Sequence, residues 1–422
     1  MNLLRCALGL AFFCAVAWLL SSDRKRFPWR TVALGVAMQF AIGWFILDTN
    51  WGRGFFESIA GFVTKLVSMA QPGAEIVFGG LAKPDGPLGF VFAFAGTGLV
   101  VIVFFSALMS ILYHLGVMQV VVWAMARVMS ATMGVSGAEA MAVAANVFVG
   151  QSEAPLVVKP YIATMTRSEL MSLMTGGFAT IAGSVMAVYM GMLGPEYGPH
   201  LITASVMSAP AAFVIAKIML PESETSQTAG GVELKVEREA TNLIEAAANG
   251  TGDGLKLWLN VIAMLIAFVA LVNLIDWPIG ALGEQLHALG VIDGELSLSV
   301  LFGYVFAPLA WVMGVDGWHD CQLFGSLLGV KVSINEFVAY DMLVRQRPGA
   351  DGVDLFESAR AAKMAAYALC GFANFGSIGI QIGGISALAP SRKSDLARLG
   401  LRAMIAGAFA SWMTATIAGA FL

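Results

Sequence analysis

The sequence predicts an all-α polytopic membrane protein: about eight transmembrane helices plus two re-entrant hairpins, with broken helices set in inverted repeats. Three observations lead there. Of the 422 residues, 58% are hydrophobic and only 12% charged, with a mean hydropathy of +0.78; soluble domains lie nearer half apolar and about a quarter charged. Stretches free of Asp, Glu, Lys and Arg recur at lengths close to the ~20 residues that cross a bilayer. Two other apolar stretches are too short to cross and carry an acidic residue at a break, and each precedes a span with a glycine-rich, polar centre.

The charge-free windows are 6–22, 31–47, 86–126, 170–195, 197–216, 257–275, 296–315, 364–391 and 403–422. The first shares features with a secretory signal: Arg5, an apolar run and Ala15-Val16-Ala17. Its apolar run continues through Trp18-Leu19-Leu20 into Arg24-Lys25-Arg26, which marks a retained helix with its C-terminal end in the cytoplasm. Window 86–126 is too long for one span; it reads as a crossing helix ending near His114, then a surface-lying helix Met118–Met129 closed by Arg127. Window 296–315 runs into Gly- and Asp-rich sequence, so it is a weaker span. The basic cluster with Arg30 places the first loop inside and the N-terminus outside. Arg392, Lys393, Arg398 and Arg402 precede the last span and place the C-terminus outside too, which requires an even number of crossings. Pro221–Lys256, with both signs of charge and Leu243, Ile244, Leu255 and Leu257 among them, reads as a cytoplasmic connector with an amphipathic helix.

The apolar pattern fails at two places. Ala140–Gly150 is interrupted by Gln151-Ser152-Glu153-Ala154-Pro155, then resumes briefly through Leu156-Val157-Val158-Lys159-Pro160. Much later, Asn335-Glu336 interrupts the stretch Gly329–Tyr340. Runs of ~10–14 apolar residues suit a hairpin that enters the membrane partway and returns. The spans that follow contain Gly177-Phe178-Ala179-Thr180-Ile181-Ala182-Gly183-Ser184 and Gly371-Phe372-Ala373-Asn374-Phe375-Gly376-Ser377. Clustered Gly, Ser, Thr and Asn weaken a helix, and unwinding at membrane depth is tolerated where the freed backbone lines a cavity. A single glycine patch is a packing surface on its own; the pair of hairpin-plus-broken-helix units points to a transporter with a midplane substrate site. An odd number of spans between the hairpins makes them enter from opposite faces. Lys159 and Lys331 are expected to snorkel to an interface, and Trp29, Trp51, Trp277 and Tyr113 to anchor span ends.

Other classes are disfavoured. The net charge is −4 with no long basic run, so no nucleic-acid footprint is present. Cys6, Cys14, Cys321 and Cys370 form no CxxC pair and read as packing residues, and the four histidines have no metal-binding spacing. No nucleophile–base pairing marks an intramembrane enzyme, and a channel requires a continuous polar path and unsaturable flux, so saturable uphill uptake decides against it. The carboxylates Glu153 and Glu336, with Gln151, Asn374, Ser152 and Ser377, make a chamber rich in hydrogen-bonding groups without a central Arg or Lys, which disfavours anions. A neutral solute with several donors suits it; ribose diols and a nucleobase edge match, and Phe372 offers a surface for a flat ring. Asn146 and Thr180, with unwound carbonyls beside them, offer neutral oxygens to a small cation. Proton coupling instead requires a titratable relay such as Glu153, Glu336 or a histidine.

The segments Gly150–Leu156, Gly177–Ser184, Asn335–Tyr340 and Gly371–Phe375 together resemble the signatures of the concentrative nucleoside transporter family, four motifs in order over most of the chain. The resemblance implies a bacterial inner-membrane symporter, driven by Na+, that carries nucleosides into the cell by an elevator-type movement within a homotrimer. By motif, it implies that Gln151, Ser152 and Glu153 face the nucleobase, that Glu336, Asn374 and Ser377 bind ribose, and that Val185 and Phe372 form an apolar lining. Sodium maps to the side chains of Asn146 and Thr180 and the carbonyls of Val149 and Ile181; the presence of Asn146 favours sodium over protons. The implied division is 1–115 scaffold, 116–219 one transport-domain half, 220–256 connector, 257–295 scaffold, and 296–422 the other transport-domain half. Gly314–Asp320 and Gly376 depart from the family pattern.

Overall fold

A computed structural model describes residues 2–82, 98–229, 240–289, 296–349 and 355–422, and among these the regular structure is entirely helical. Parts of the predicted 86–126 window and of the Pro221–Lys256 connector lie outside the described residues. The chain opens with α1 (Asn2–Leu19), α2 (Trp29–Gly43, prolonged by a π-helical turn to Asp48), α3 (Asn50–Met69) and α4 (Gln71–Phe78).

One order of elements then occurs twice. The first pass is α5 (Val101–His114), α6 (Val117–Met133), α7 (Gly137–Val149), the short pieces α8 (Ala154–Val157) and α9 (Lys159–Ile162), the broken pair α10 (Arg167–Ala179) and α11 (Gly183–Leu193), and α12 (Gly198–Met219). The second is α13 (Leu243–Ala288), α14 (Leu298–Met313), α15 (Trp318–Ser333), α16 (Glu336–Gln346), the broken pair α17 (Ala359–Leu369) and α18 (Phe375–Leu388), and α19 (Lys393–Ala418). The chain turns by 77° between α5 and α6 and by 111° between α14 and α15. Both hairpins, α7–α9 and α15–α16, break where the sequence places an acidic residue in an apolar run.

Among the described residues, five helices are long and apolar enough to cross a membrane, or up to seven if each bent pair is one span. The apolar helices Leu3–Leu19 and Phe375–Leu388 fall short of that length. Burial separates an inner bundle from an outer frame. The hydrophobic windows of Arg167–Leu193 and Pro195–Met219 are 89% buried and that of Pro390–Ala418 is 78% buried, against 22% for Trp29–Asp48 and 0% for Leu243–Ala288. Polar contacts pin the open end of the first hairpin. Ser136 and Glu139 form a capping box on α7, Thr166 and Glu169 another on α10. Lys217 of α12 reaches both helices, with Nζ 2.7 Å from Glu139 Oε2 and 3.0 Å from Ser168 Oγ.

Several predicted boundaries are corrected. The window 257–275 and the amphipathic end of the connector are one helix of 46 residues, α13. At 1.5 Å per residue it is about 69 Å long, more than twice the ~30 Å hydrocarbon core, so its charged first turns lie beyond the apolar layer. Arg398 and Arg402 belong to α19 rather than preceding it, because charges end an apolar window without ending a helix; Arg402 Nη2 donates to Leu20 O at 2.6 Å. The first arm of the second hairpin begins at Trp318, well before Gly329. Helix α3 has no counterpart in the charge-free windows because Arg53, Glu57 and Lys65 interrupt them; it is amphipathic, exposing Trp51, Phe55 and Phe62.

The broken helices cross where their backbones nearly touch. Gly371 has φ +142°, and a Cβ there would lie 2.7 Å from the Phe178 carbonyl oxygen. A side chain therefore meets both a disfavoured φ and rigid backbone. Gly371→Ala is expected to destabilise the protein by about 1–3 kcal/mol, read as a lowered unfolding temperature of the purified protein in detergent.

Candidate functional site

The two hairpin tips and the two helix breaks meet around one cavity. Gln151, Ser152, Glu153, Val185, Glu336, Phe372, Asn374 and Ser377, every residue proposed from sequence for a substrate, line it. Four separate segments supply them, and the bonded pair Gln151 and Ser377 is 226 positions apart in the chain. Ser152 and Glu153 are exposed toward the cavity, Phe372 is half-buried, and the other five are buried. The wall between these polar groups is apolar, with Ile102 of α5 and Val261 and Leu265 of α13 among its members. None of the lining residues is Lys or Arg.

Local chain geometry aims the polar groups. Glu336 is the first residue of α16, where the positive end of the helix dipole favours a carboxylate. Asn335, just before it, spends its side chain as the cap, accepting from Val338 N at 2.9 Å. Asn374 caps α18 in the same way, accepting from Ser377 N at 2.9 Å. Its other end then donates to Glu336 Oε2 at 3.0 Å, which ties the second helix break to the second hairpin tip. Gln151 Nε2 donates to Ser377 Oγ at 3.2 Å, joining the first tip to the second break. The amide of Gln151 thus has a donor and an acceptor site still available.

The sequence missed two members of this network. Tyr189 OH donates to Glu336 Oε1 at 3.1 Å, and Gln381 Nε2 donates to Gln151 Oε1 at 3.1 Å and to Met174 O at 3.1 Å. Gly177 makes room for the second contact, since a Cβ there would meet Gln381 Nε2 at 2.7 Å. Both residues sit in apolar helical runs, Tyr189 in α11 and Gln381 in α18, with no polar cluster to draw attention. A lone Tyr or Gln in such a run is the available signal, because a buried polar group demands a partner. One other expectation is corrected. Lys331 does not snorkel: it is fully buried, with Nζ donating to Ala368 O and Ser411 Oγ, each at 2.8 Å. Its helix lies inside the bundle, so no interface is within reach. Tyr113, next to the last residue of α5, lines a second cavity with Ser106 and Ser110 of α5 and Asp253, Lys256 and Asn260 of α13. Ser152 and Glu153 stand where that polar vestibule meets the first cavity.

Beside the first cavity, the residues proposed for an ion are also brought together. Helices α7 and α10 both end here, at Val149 and Ala179, so two negative dipole ends converge. Asn146 is buried; its Nδ2 donates to Ala142 O at 3.1 Å, while its Oδ1 is buried without a hydrogen-bond partner. Thr180 Oγ1 lies 3.0 Å from Asn146 O and 2.9 Å from Gly176 O. The carbonyl of Val149 has no continuing helix above it, and Ile181 lies in the unwound segment 180–182. An unpaired buried carbonyl-type oxygen among hydroxyl and main-chain oxygens, with no nitrogen or sulfur donor, fits a small hard cation.

Comparison with known proteins agrees with this geometry. Residues 200–419 match the profile for "Na+ dependent nucleoside transporter C-terminus", 8–81 its N-terminal counterpart, and 97–196 a "Gate: Nucleoside recognition" profile. An uncharacterized transporter of Haemophilus influenzae is 44% identical, covering 100% of this chain and 98% of its own. The chain belongs to the Na+-dependent nucleoside transporter family. Mouse solute carrier family 28 member 3 is 41% identical over 97% of this chain and 58% of its own length, and mouse sodium/nucleoside cotransporter 1 is 40% identical over 97% and 62%. CNTnw in an inward-facing substrate-bound state superposes with a TM-score of 0.90 at 42% identity, covering 100% of this chain and 98% of that one. CNTnw variants in outward-facing and intermediate states superpose with TM-scores of 0.91 and 0.89. The relatives are transporters, and this chain is a multi-pass membrane transporter rather than an enzyme.

For a member of this family, the Tyr189 hydroxyl is a support of the acidic tip. Tyr189→Phe removes one donor from a buried carboxylate, and the folded protein is expected to lose about 1.5–3 kcal/mol. Thermal unfolding of the variant beside the parent protein measures it.

Proposed function

We propose that this protein is a sodium–nucleoside symporter that carries nucleosides into the cell across a bacterial inner membrane. The observation that carries the reading is the meeting of Glu336, Asn374, Gln151 and Ser377, all buried and mutually bonded, in an apolar cavity without a cation in its lining. A carboxylate has about four acceptor positions, so Glu336 keeps capacity for hydroxyl donors beyond Tyr189 and Asn374. Ribose diols supply them. Gln151, Ser152 and Glu153 on the facing tip take the base edge, with Val185 and Phe372 against the ring. A phosphorylated compound would bring negative charge to Glu153 and Glu336 and is rejected.

The coupling follows from chain continuity. Sodium held by Asn146 Oδ1, Thr180 Oγ1 and the carbonyls of Val149 and Ile181 fixes the backbone that runs straight on into Gly150–Glu153 and Ala182–Val185. Gly150–Glu153, Ala182 and Val185 line the cavity, so an ordered ion site is an ordered base site. By linkage, nucleoside raises sodium affinity by the same factor. The buried inner bundle suits a body that moves as a unit, with α13 and the N-terminal helices as the frame. The apolar faces that the frame leaves uncovered suit lipid and neighbouring copies in a homotrimer, with both termini outside.

In proteoliposomes holding the purified protein, an inward sodium gradient is expected to drive uphill uptake of uridine or adenosine, recovered unchanged. A potassium or pH gradient alone drives none; uptake that follows only the proton gradient removes the sodium assignment. Two variants separate the sites. Glu336→Gln is expected to raise the nucleoside dissociation constant by about a hundredfold. Asn146→Ala is expected to raise the sodium half-activation constant about tenfold or more with a smaller direct effect on nucleoside, both read by equilibrium binding in graded sodium.

A further inference from the structure

The two repeats solve the same electrostatic problem with different cations. In the first, the last turns of α7 and α10 meet at Asn146 and Thr180, and Ser205 of α12 completes the junction by donating to Val147 O at 3.1 Å. In the second, the equivalent last turns of α15 and α17 meet at Lys331, whose Nζ donates to Ala368 O, next to the last residue of α17. Ser411 of α19 completes that junction at 2.8 Å from the same Nζ. Each junction therefore joins a hairpin arm, the end of a half-helix and a serine of the repeat's last helix. Each gathers two negative helix ends, which favour a cation. They differ in one respect: in the first junction Asn146 Oδ1 has no hydrogen-bond partner, whereas in the second an ammonium group is already covalently present.

We propose that Lys331 is a tethered counterpart of the coupling ion, holding the second hairpin and second break in their binding geometry without a ligand. This rests on the sodium reading of the first junction. Lys331 is a positioning residue and lines no part of the cavity. Its bonds to α17 and α19 hold the unwound segment 370–374, which carries Phe372 and Asn374, beside the hairpin that carries Glu336. The ribose half of the site is thus preformed, and only the base half waits for sodium. A cation without a permanent partner in the first repeat can leave on each cycle; one attached to the chain cannot.

The purified full-length protein in proteoliposomes, with radiolabelled sodium and uridine or adenosine, tests this. The parent protein is expected to move about one sodium per nucleoside, with a Hill coefficient for sodium of about 1; two sodium ions per nucleoside would overturn the proposal. Lys331→Met is expected to raise the nucleoside dissociation constant about tenfold or more, with the half-saturation for sodium binding in the absence of nucleoside unchanged within about twofold. A purely structural lysine would lower the amount of binding-competent protein and leave the dissociation constant of the remainder as it was, and that result would refute the assignment. Ser411→Ala, which keeps the charge, is expected to shift nucleoside affinity in the same direction by about threefold and serves if Lys331→Met does not fold. Wild-type uptake that ignores sodium would instead remove the reading of the first junction, and the proposal with it.

Discussion

A carboxylate at membrane depth must be answered by hydrogen-bond donors, a helix end or a cation, and the architecture of this transporter follows from how Glu336 is answered. It sits at the start of α16 and receives Tyr189 from α11 and Asn374 from the cap of α18. Those three elements belong to a hairpin and to both broken helices. Holding one charge in place therefore fixes the relative positions of half the cavity wall. The helices are short and broken because an unbroken helix would direct its dipole ends to the membrane surfaces, where they would do nothing for a group in the middle.

The same principle orders the cation-favouring side of the molecule. Four half-helices, α7, α10, α15 and α17, bring their C-terminal ends to two interior junctions, one in each repeat. An oxygen-rich junction with an unpaired Asn146 carbonyl and a junction filled by Lys331 are two outcomes of that geometry. Polar bonds between distant segments, Gln151 to Ser377 and to Gln381, then let the ordering of one tip be felt at the opposite break.

The outer frame follows a different rule. Helix α13 buries none of its most apolar window, because lipid is as good a partner for Leu and Phe as protein is. The inner bundle is instead rich in Ala, Gly, Ser and Thr at contact positions, which lets backbones such as those at Gly371 and Phe178 approach closely. A polar vestibule with Asp253, Lys256 and Tyr113 joins the cavity between α5 and α13.

Local sequence determined the class of the protein, the two breaks, and the residues at them: composition reports burial in lipid, and a charge or a glycine cluster in an apolar run has few structural meanings. Every residue proposed from sequence for substrate reached one cavity because the breaks that expose polar side chains are the same breaks that fold inward. Charges near the ends of α13 and α19 hid their length, and charges within α3 hid its existence, since hydropathy sees the lipid-facing part of a helix and not its hydrogen bonds. Tertiary structure alone decided the roles of Tyr189, Gln381 and Lys331. Each is a polar residue in an apolar run, and its partner lies at least 37 positions away in the chain; packing of one repeat against the other brings Tyr189 and Gln381 to their partners, and packing within the second repeat brings Lys331 to Ala368 and Ser411.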